Sequence, residues 1–227
     1  MRFLIHAIPE REENVAKLMA AHALSPLKDV EMLIYNDKDH EGNLPAYLKS
    51  IDYLFSFPDI GAHELIWHLQ DDVVLLPNFW ERVTTYGKQY EEGLANNSFY
   101  IYCGFTSSAD YVEGRGWKAT GEVVPEAMFY SFPCIGIPYW ISFMFKAWVE
   151  DHEHTEEELS WIALKKYDDS LWQHFICQEW DKITRDGPGS VKIINLPKCL
   201  VDHRDDLCGG SVVNPTAVSM DRRARLK

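Results

Sequence analysis

The sequence predicts an α/β fold: a mostly parallel central sheet covered by helices on both faces. Three observations predict it. Short apolar runs alternate with amphipathic helical patterns through the first half of the chain, the runs are too apolar to leave one face in water, and no repeat, low-complexity tract or Pro/Gly/Ser-rich linker divides the 227 residues. With 46% hydrophobic, 25% charged and 13% aromatic residues the chain can fill one sizeable core, which excludes disordered and fibrous classes. The expectation is a single domain over residues 1–227.

Phe3 to Ile8 reads as the first strand. Val15, Leu18, Met19 and His22 then recur at helical spacing, giving one apolar face. Val30 to Tyr35 reads as the second strand, and Tyr47, Leu48, Ile51, Leu54 and Phe55 mark the face of a second helix. Glu64 to Leu69 is a third strand, after which Pro77 opens a helix carrying Phe79, Val83, Tyr86 and Tyr90. Ser98 to Cys103 and Val191 to Leu196 read as later strands. Residues 104–150, rich in Gly, Pro and aromatics without a clean period, read as loop-dominated. Thr155 with Glu158 fits a capping box opening a helix through Lys165, and Asp168 or Asp169 suits the cap of the next helix, running to Trp180.

Lys and Arg number 22 against 35 Asp and Glu, a formal charge of −13 that repels phosphate backbones and anionic membranes unless a local basic patch overrides it. Every apolar run is broken well short of the ~18 residues of a membrane span, and the start MRFLIHAIPERE lacks the apolar stretch and cleavage site of a signal peptide. The expectation is a soluble cytoplasmic protein. Five cysteines form no Cys-x-x-Cys pair, and the eight residues between Cys199 and Cys208 match no common zinc spacing, so reduced thiols are expected.

Ligands of open parallel sheets bind beyond the carboxyl ends of the strands, so polar residues directly after apolar runs are the first candidates. Gln70-Asp71-Asp72 follows Leu65-Ile66-Trp67-His68-Leu69 and precedes Val73-Val74-Leu75-Leu76-Pro77-Asn78-Phe79. Two adjacent carboxylates at a strand end need solvent or a cation to offset their repulsion; an acidic turn and a divalent-metal site with a diphosphate both satisfy that need. Asp202-His203-Arg204 follows the last strand, and an imidazole joins carboxylates and phosphate oxygens as a manganese ligand; a hydrogen-bonded loop histidine is the alternative. Asp168 and Asp169 can cap a helix or serve as a proton acceptor. Arg11 after the first strand, and Asp37 and Lys38 after the second, are candidates for a nucleotide's base and phosphates, each also an ordinary loop residue. Tyr139 and Trp140, with Trp117, offer aromatic faces that stack on sugars or bases, or fill a core.

The segment HLQDDVVLLPNFWE resembles the metal-binding segment of GT-A glycosyltransferases, whose Asp-x-Asp-type motif follows an apolar strand and precedes a short strand and an Asn-Phe helix start. PKCLVDHRDD resembles the late element that supplies a metal-ligating His in many of them, and GNLPAYLKSID, from Gly42, is similar to the Gly-containing stretch that approaches the donor. The resemblance implies a single GT-A domain, its residues 1–100 forming the nucleotide-sugar half and 101–227 the acceptor half and metal-completing segment. It implies Asp72 and His203 as ligands of Mn²⁺ or Mg²⁺, with Asp71 near the sugar or ribose and Gln70 in place of the motif's first acid. Asp169, then Asp168, would take the proton of the attacking hydroxyl; the nucleotide sugar, a UDP-sugar by resemblance, would also meet Arg11, Asp37, Lys38 and Gly42, and the acceptor Tyr139 and Trp140. The small chain is similar to stand-alone bacterial or phage-encoded members, some of which modify hydroxylated DNA bases. A glycan, a small metabolite and such a base are the acceptors to consider, with Arg222, Arg223, Arg225 and Lys227 as a patch for the last. A sugar nucleotidyltransferase would show a Gly-rich, Lys/Arg-bearing loop after the first strand, where HAIPERE has only Arg11. A non-catalytic carbohydrate-binding module would account for the aromatics and acids but not for the order of the three segments.

Overall fold

A computed structural model describes residues 1–105, 133–164, 171–172, 174–176, 178–179, 183, 188–196 and 199–203. Its main sheet has six strands in the order β2-β1-β3-β6-β5-β7: β1 (Arg2–Ala7), β2 (Met32–Asn36), β3 (Leu65–Gln70), β5 (Ser98–Cys103), β6 (Cys134–Pro138) and β7 (Ser190–Asn195). Neighbouring pairs β1–β2, β1–β3 and β5–β7 are parallel, while β6 runs antiparallel to β3 and β5 on either side of it. The expected mostly parallel α/β architecture is therefore present. A second, two-stranded ribbon pairs β4 (Val73–Leu75) with β8 (Val201–His203).

Side-chain alternation along the strands divides the core into two layers. On one face Phe3 packs against His22 of α1 (Glu12–Ala23) and against Phe79 and Trp80 of α3 (Phe79–Leu94), and Trp67 of β3 stacks on Tyr102 of β5 with ring centroids 5.7 Å apart. On the other, Tyr47 of α2 (Asn43–Phe55) stacks on His6 and meets Phe145 of α4 (Tyr139–Asp151), which lies flat on Trp172 at 4.1 Å. Helix α5 (Glu156–Leu164) follows. Among the described residues no helix is long and apolar enough to cross a membrane.

Two sequence expectations are corrected. Residues 104–150, read as loop-dominated, contain β6 and all but the last residue of α4. Strand β6 is wholly buried between β3 and β5, so its run CIGIP carries no alternation; YWISFMFKAWVED is apolar around much of its circumference, so α4 shows no single stripe. Phe55, assigned to the buried face of α2, is 73% exposed, because the helix ends there and its last turn overhangs the core.

Candidate functional site

Strand β3 delivers Asp71 and Asp72 to the carboxyl edge of the sheet, where the chain turns into β4. Neither side chain reaches into open water: Asp71 is 5% and Asp72 7% exposed. Asp71 is clamped from both sides, its N–H donating to the His6 carbonyl at 3.0 Å and its Oδ2 accepting the Ile8 N–H at 2.7 Å. The charge of the pair is met by Arg11, the last residue of a one-turn 3-10 helix between β1 and α1. Its Nη1 donates to Asp71 Oδ1 at 2.8 Å and to Asp72 Oδ2 at 2.7 Å. Burial pushes the Asp71 carboxyl above its ordinary range, against the hydrogen bond and charge of Arg11 and the Ile8 N–H, and the Asp72 charge adds to the upward push.

The antiparallel β4–β8 ribbon places His203 opposite Val73, the residue after Asp72. Its Nε2 stands 2.9 Å from Asp72 Oδ2, the oxygen Arg11 also holds, and its ring is 4% exposed. The ribbon is fastened by Leu76 N–H to the Leu200 carbonyl at 3.0 Å, Leu200 N–H to the Gly104 carbonyl at 2.7 Å, and Arg82 Nη1 to the Cys199 carbonyl at 2.6 Å. Asp71, Asp72, Arg11 and His203, expected from three separate stretches of sequence, thus meet at one point.

Asn14 was not legible as a site residue. One turn beyond Arg11, at the start of α1, its Nδ2 donates to the Asp71 carbonyl and, at 3.4 Å, to that of Val73, bracing the acidic turn from below. The three-residue spacing from Arg11, which puts both on one helical face, was the only signal.

The nucleotide-side candidates lie along the same edge. Gln70 ends β3 beside His6 of β1. Asp37 is buried; its N–H bonds to the Ala7 carbonyl at 2.8 Å and its Oδ1 accepts the Glu41 N–H at 3.2 Å, so it shapes the loop after β2, while Lys38 is exposed. His40 Nε2 meets Glu10 Oε1 at 3.0 Å, joining that loop to the one bearing Arg11. Gly42 stands immediately before α2 with φ 100°, which a side chain would strain.

Tyr139 and Trp140 are not brought to this point. Because β6 descends antiparallel to β3, its end lies at the opposite edge, where Tyr139 N–H bonds to the Glu64 carbonyl and Trp140 N–H to that of Ala62, both at 2.9 Å. The six residues of β3 separate them from Asp71 by about 20 Å. Trp140 packs edge-on against Phe99, and Tyr139 is 8% exposed, so the structure does not bring these rings together with the acidic pair. Asp168, Asp169, Trp117 and the basic residues from Arg222 to Lys227 lie outside the described residues.

A carboxylate oxygen and an imidazole nitrogen are a donor set that suits Mn²⁺. Their 2.9 Å contact brings the two donors to one point, where together they would hold such an ion. Among the described residues no three His, Cys, Asp or Glu side chains converge as a complete metal cage. Further donors would be water and ligand oxygens, as is usual where a cation is held by one or two protein groups and a phosphate.

No protein-family profile and no curated protein matches the chain. Among solved structures it is similar to one described as a glycosyltransferase involved in the glycosylation of the major capsid of PBCV-1, with 8% identity over 85% of this chain and 82% of that one and a TM-score of 0.40. At that distance no residue role transfers.

Proposed function

We propose that the chain is a metal-dependent glycosyltransferase that moves a sugar from a nucleotide-sugar donor, a UDP-sugar by the resemblance of its motifs, to an acceptor hydroxyl. The observation that carries the reading is the meeting of Asp72 and His203, 131 residues apart, at the carboxyl edge of the sheet beside Asp71 and Arg11. In this reading Asp72 and His203 hold Mn²⁺ or Mg²⁺, which when bound supplies positive charge against the diphosphate as it leaves. Arg11, Gln70, Asp71, Asp37, Lys38 and Gly42 line the donor side, with residues 1–100 as the nucleotide-sugar half and 101–227 as the acceptor half. The acceptor oxygen attacks the anomeric carbon, the bond from that carbon to the diphosphate breaks, and the hydroxyl proton passes to Asp169, or to Asp168, with inversion; if both only cap a helix, a retaining route applies. A glycan, a small metabolite or a hydroxylated DNA base is the acceptor.

The test is incubation with a panel of nucleotide sugars and Mn²⁺, following slow release of free sugar and nucleoside diphosphate. Turnover of at least one donor, abolished in Asp72→Ala, is expected. Asp169→Asn keeps an oxygen able to cap but cannot accept the proton, so turnover should fall roughly 10²–10⁴-fold with melting temperature near wild type. Collapse in Asp168→Asn alone would exchange the two roles. Pyrophosphate-dependent nucleotide formation would instead make the chain a nucleotidyltransferase, and inertness towards every donor a binding module.

A further inference from the structure

We infer that Arg11 is a resident cation of the carboxylate pair that changes places with the divalent metal, leaving Asp72 for a phosphate of the bound nucleotide as the metal arrives. The inference rests on the assignment of Asp72 and His203 as metal ligands. One oxygen, Asp72 Oδ2, is approached by two groups at once: Arg11 Nη1 at 2.7 Å and His203 Nε2 at 2.9 Å. A divalent ion held by Asp72 and His203 would sit against the carboxylate that Arg11 already occupies, bringing a double positive charge close to the guanidinium. With the three side chains 10%, 7% and 4% exposed, little water is present to screen the repulsion. The ion pair and the metal are therefore alternatives.

The displaced side chain has somewhere to go. Arg11 is carried by the turn Pro9–Arg11, whose Pro9 and Glu10 are exposed, and not by the middle of a strand or a long helix. Its planar fork matches phosphate oxygens as well as it matches carboxylates, so a diphosphate at the strand edge offers a new bidentate partner as the old one is lost. Asp71, still bonded to the Ile8 N–H and braced through Asn14, keeps the turn in shape during the exchange. Each ligand then prepares the site of the other: nucleotide draws the arginine off Asp72, and metal releases the arginine to the nucleotide. Such coupling is reciprocal.

Calorimetric titration of Mn²⁺ into wild type, Arg11→Gln and Arg11→Lys, each with and without uridine diphosphate as the probe, reads this directly without turnover. Without nucleotide, Arg11→Gln should bind Mn²⁺ at least tenfold more tightly than wild type. The strengthening of Mn²⁺ binding by uridine diphosphate, large in wild type, should shrink severalfold. Arg11→Lys keeps a compensating charge on the carboxylate pair should the Gln variant not fold, so it should tighten Mn²⁺ binding by a smaller factor. Mn²⁺ affinity no tighter than wild type in the variants that fold would overturn the exchange. If Asp72→Ala still abolished binding in that case, the metal assignment would stand alone. Absence of Mn²⁺ binding in wild type and variants alike would remove both.

Discussion

At the scale of single residues, the position of His203 depends on an atom that is missing. Gly104, just past β5, donates its N–H to the Cys134 carbonyl at 2.9 Å and accepts from Leu200 N–H at 2.7 Å, so the main sheet and the strand leading to His203 meet across it. A Cβ there would lie 2.7 Å from Cys134 Sγ, 2.9 Å from the Cys134 carbonyl oxygen and 3.1 Å from Leu200 Cδ1. Two of these three atoms belong to a fully buried residue of β6, which has no room to retreat, so the accommodating movement falls on Leu200 and the ribbon behind it. Gly104→Ala is therefore expected to lose about 1–3 kcal/mol of stability in denaturant titration, as overpacked sites do, and to weaken Mn²⁺ binding by displacing His203. Unchanged stability would show that the sheet and ribbon do not approach as closely as drawn.

At the scale of elements, α5 shows how one local pattern is drawn into tertiary structure. The expected capping box is formed: Thr155 N–H donates to Glu158 Oε2 at 2.8 Å and Glu158 N–H to Thr155 Oγ1 at 3.2 Å. The same buried carboxylate also accepts from Gln178 Nε2 at 2.9 Å and meets His174 Nδ1 at 3.0 Å, joining α5 to the helical residues beyond it. Burial alone would raise this carboxyl, but the bonds from Thr155, His174 and Gln178 outweigh it and hold it at about 2. A carboxyl depressed in the folded state contributes stability above its unfolded value of 4.5 and loses it as pH falls from there towards about 2. Glu158→Gln should thus cost about 2 kcal/mol near neutrality, with the gap to wild type closing across that acid window; a constant gap would mean that charge plays no part. The box was legible because its four residues carry their own geometry, as was Asp71-Asp72, because it interrupts an apolar run. Strand β6 was not, since its five residues make sense only between β3 and β5. Nor was the position of Tyr139 and Trp140 legible: the antiparallel direction that carries them to the far edge is a property of strand pairing and leaves no local trace. Asn14 bonds to a carbonyl 57 residues away, a contact that its spacing from Arg11 only hints at.

At the scale of the whole molecule, the edges of the sheet are bound by charge while its centre holds a neutral polar thread. At the amino edge Arg2 bonds to Glu31, Asp59 and Glu64, and at the carboxyl edge Arg11 holds Asp71 and Asp72. Between them His6 of β1 and His68 of β3 lie ring to ring, Nε2 to Nδ1 at 2.9 Å, under Tyr47, whose hydroxyl meets Ser142 Oγ of α4 at 3.2 Å. A neutral imidazole donates at one nitrogen and accepts at the other, so this contact needs at least one neutral ring. Burial drives His6 down to about 4, and burial, with the His6 charge after it, drives His68 well below its usual range. For a histidine depressed in the folded state the unfolded chain binds the extra proton, so stability is full above the unfolded value of 6.5 and is lost as pH falls from there towards about 4. Each such proton steepens the loss by about 1.4 kcal/mol per pH unit. This window lies above that of Glu158, so the two contributions separate on a pH axis. Urea unfolding between pH 7 and pH 4 should show wild-type stability falling steeply through the upper window. His68→Phe, which keeps a flat ring beneath Tyr47 but cannot titrate, should fall with a slope shallower by roughly one proton. Parallel curves for the two proteins would assign the acid sensitivity to the other histidines and leave the buried pair as packing.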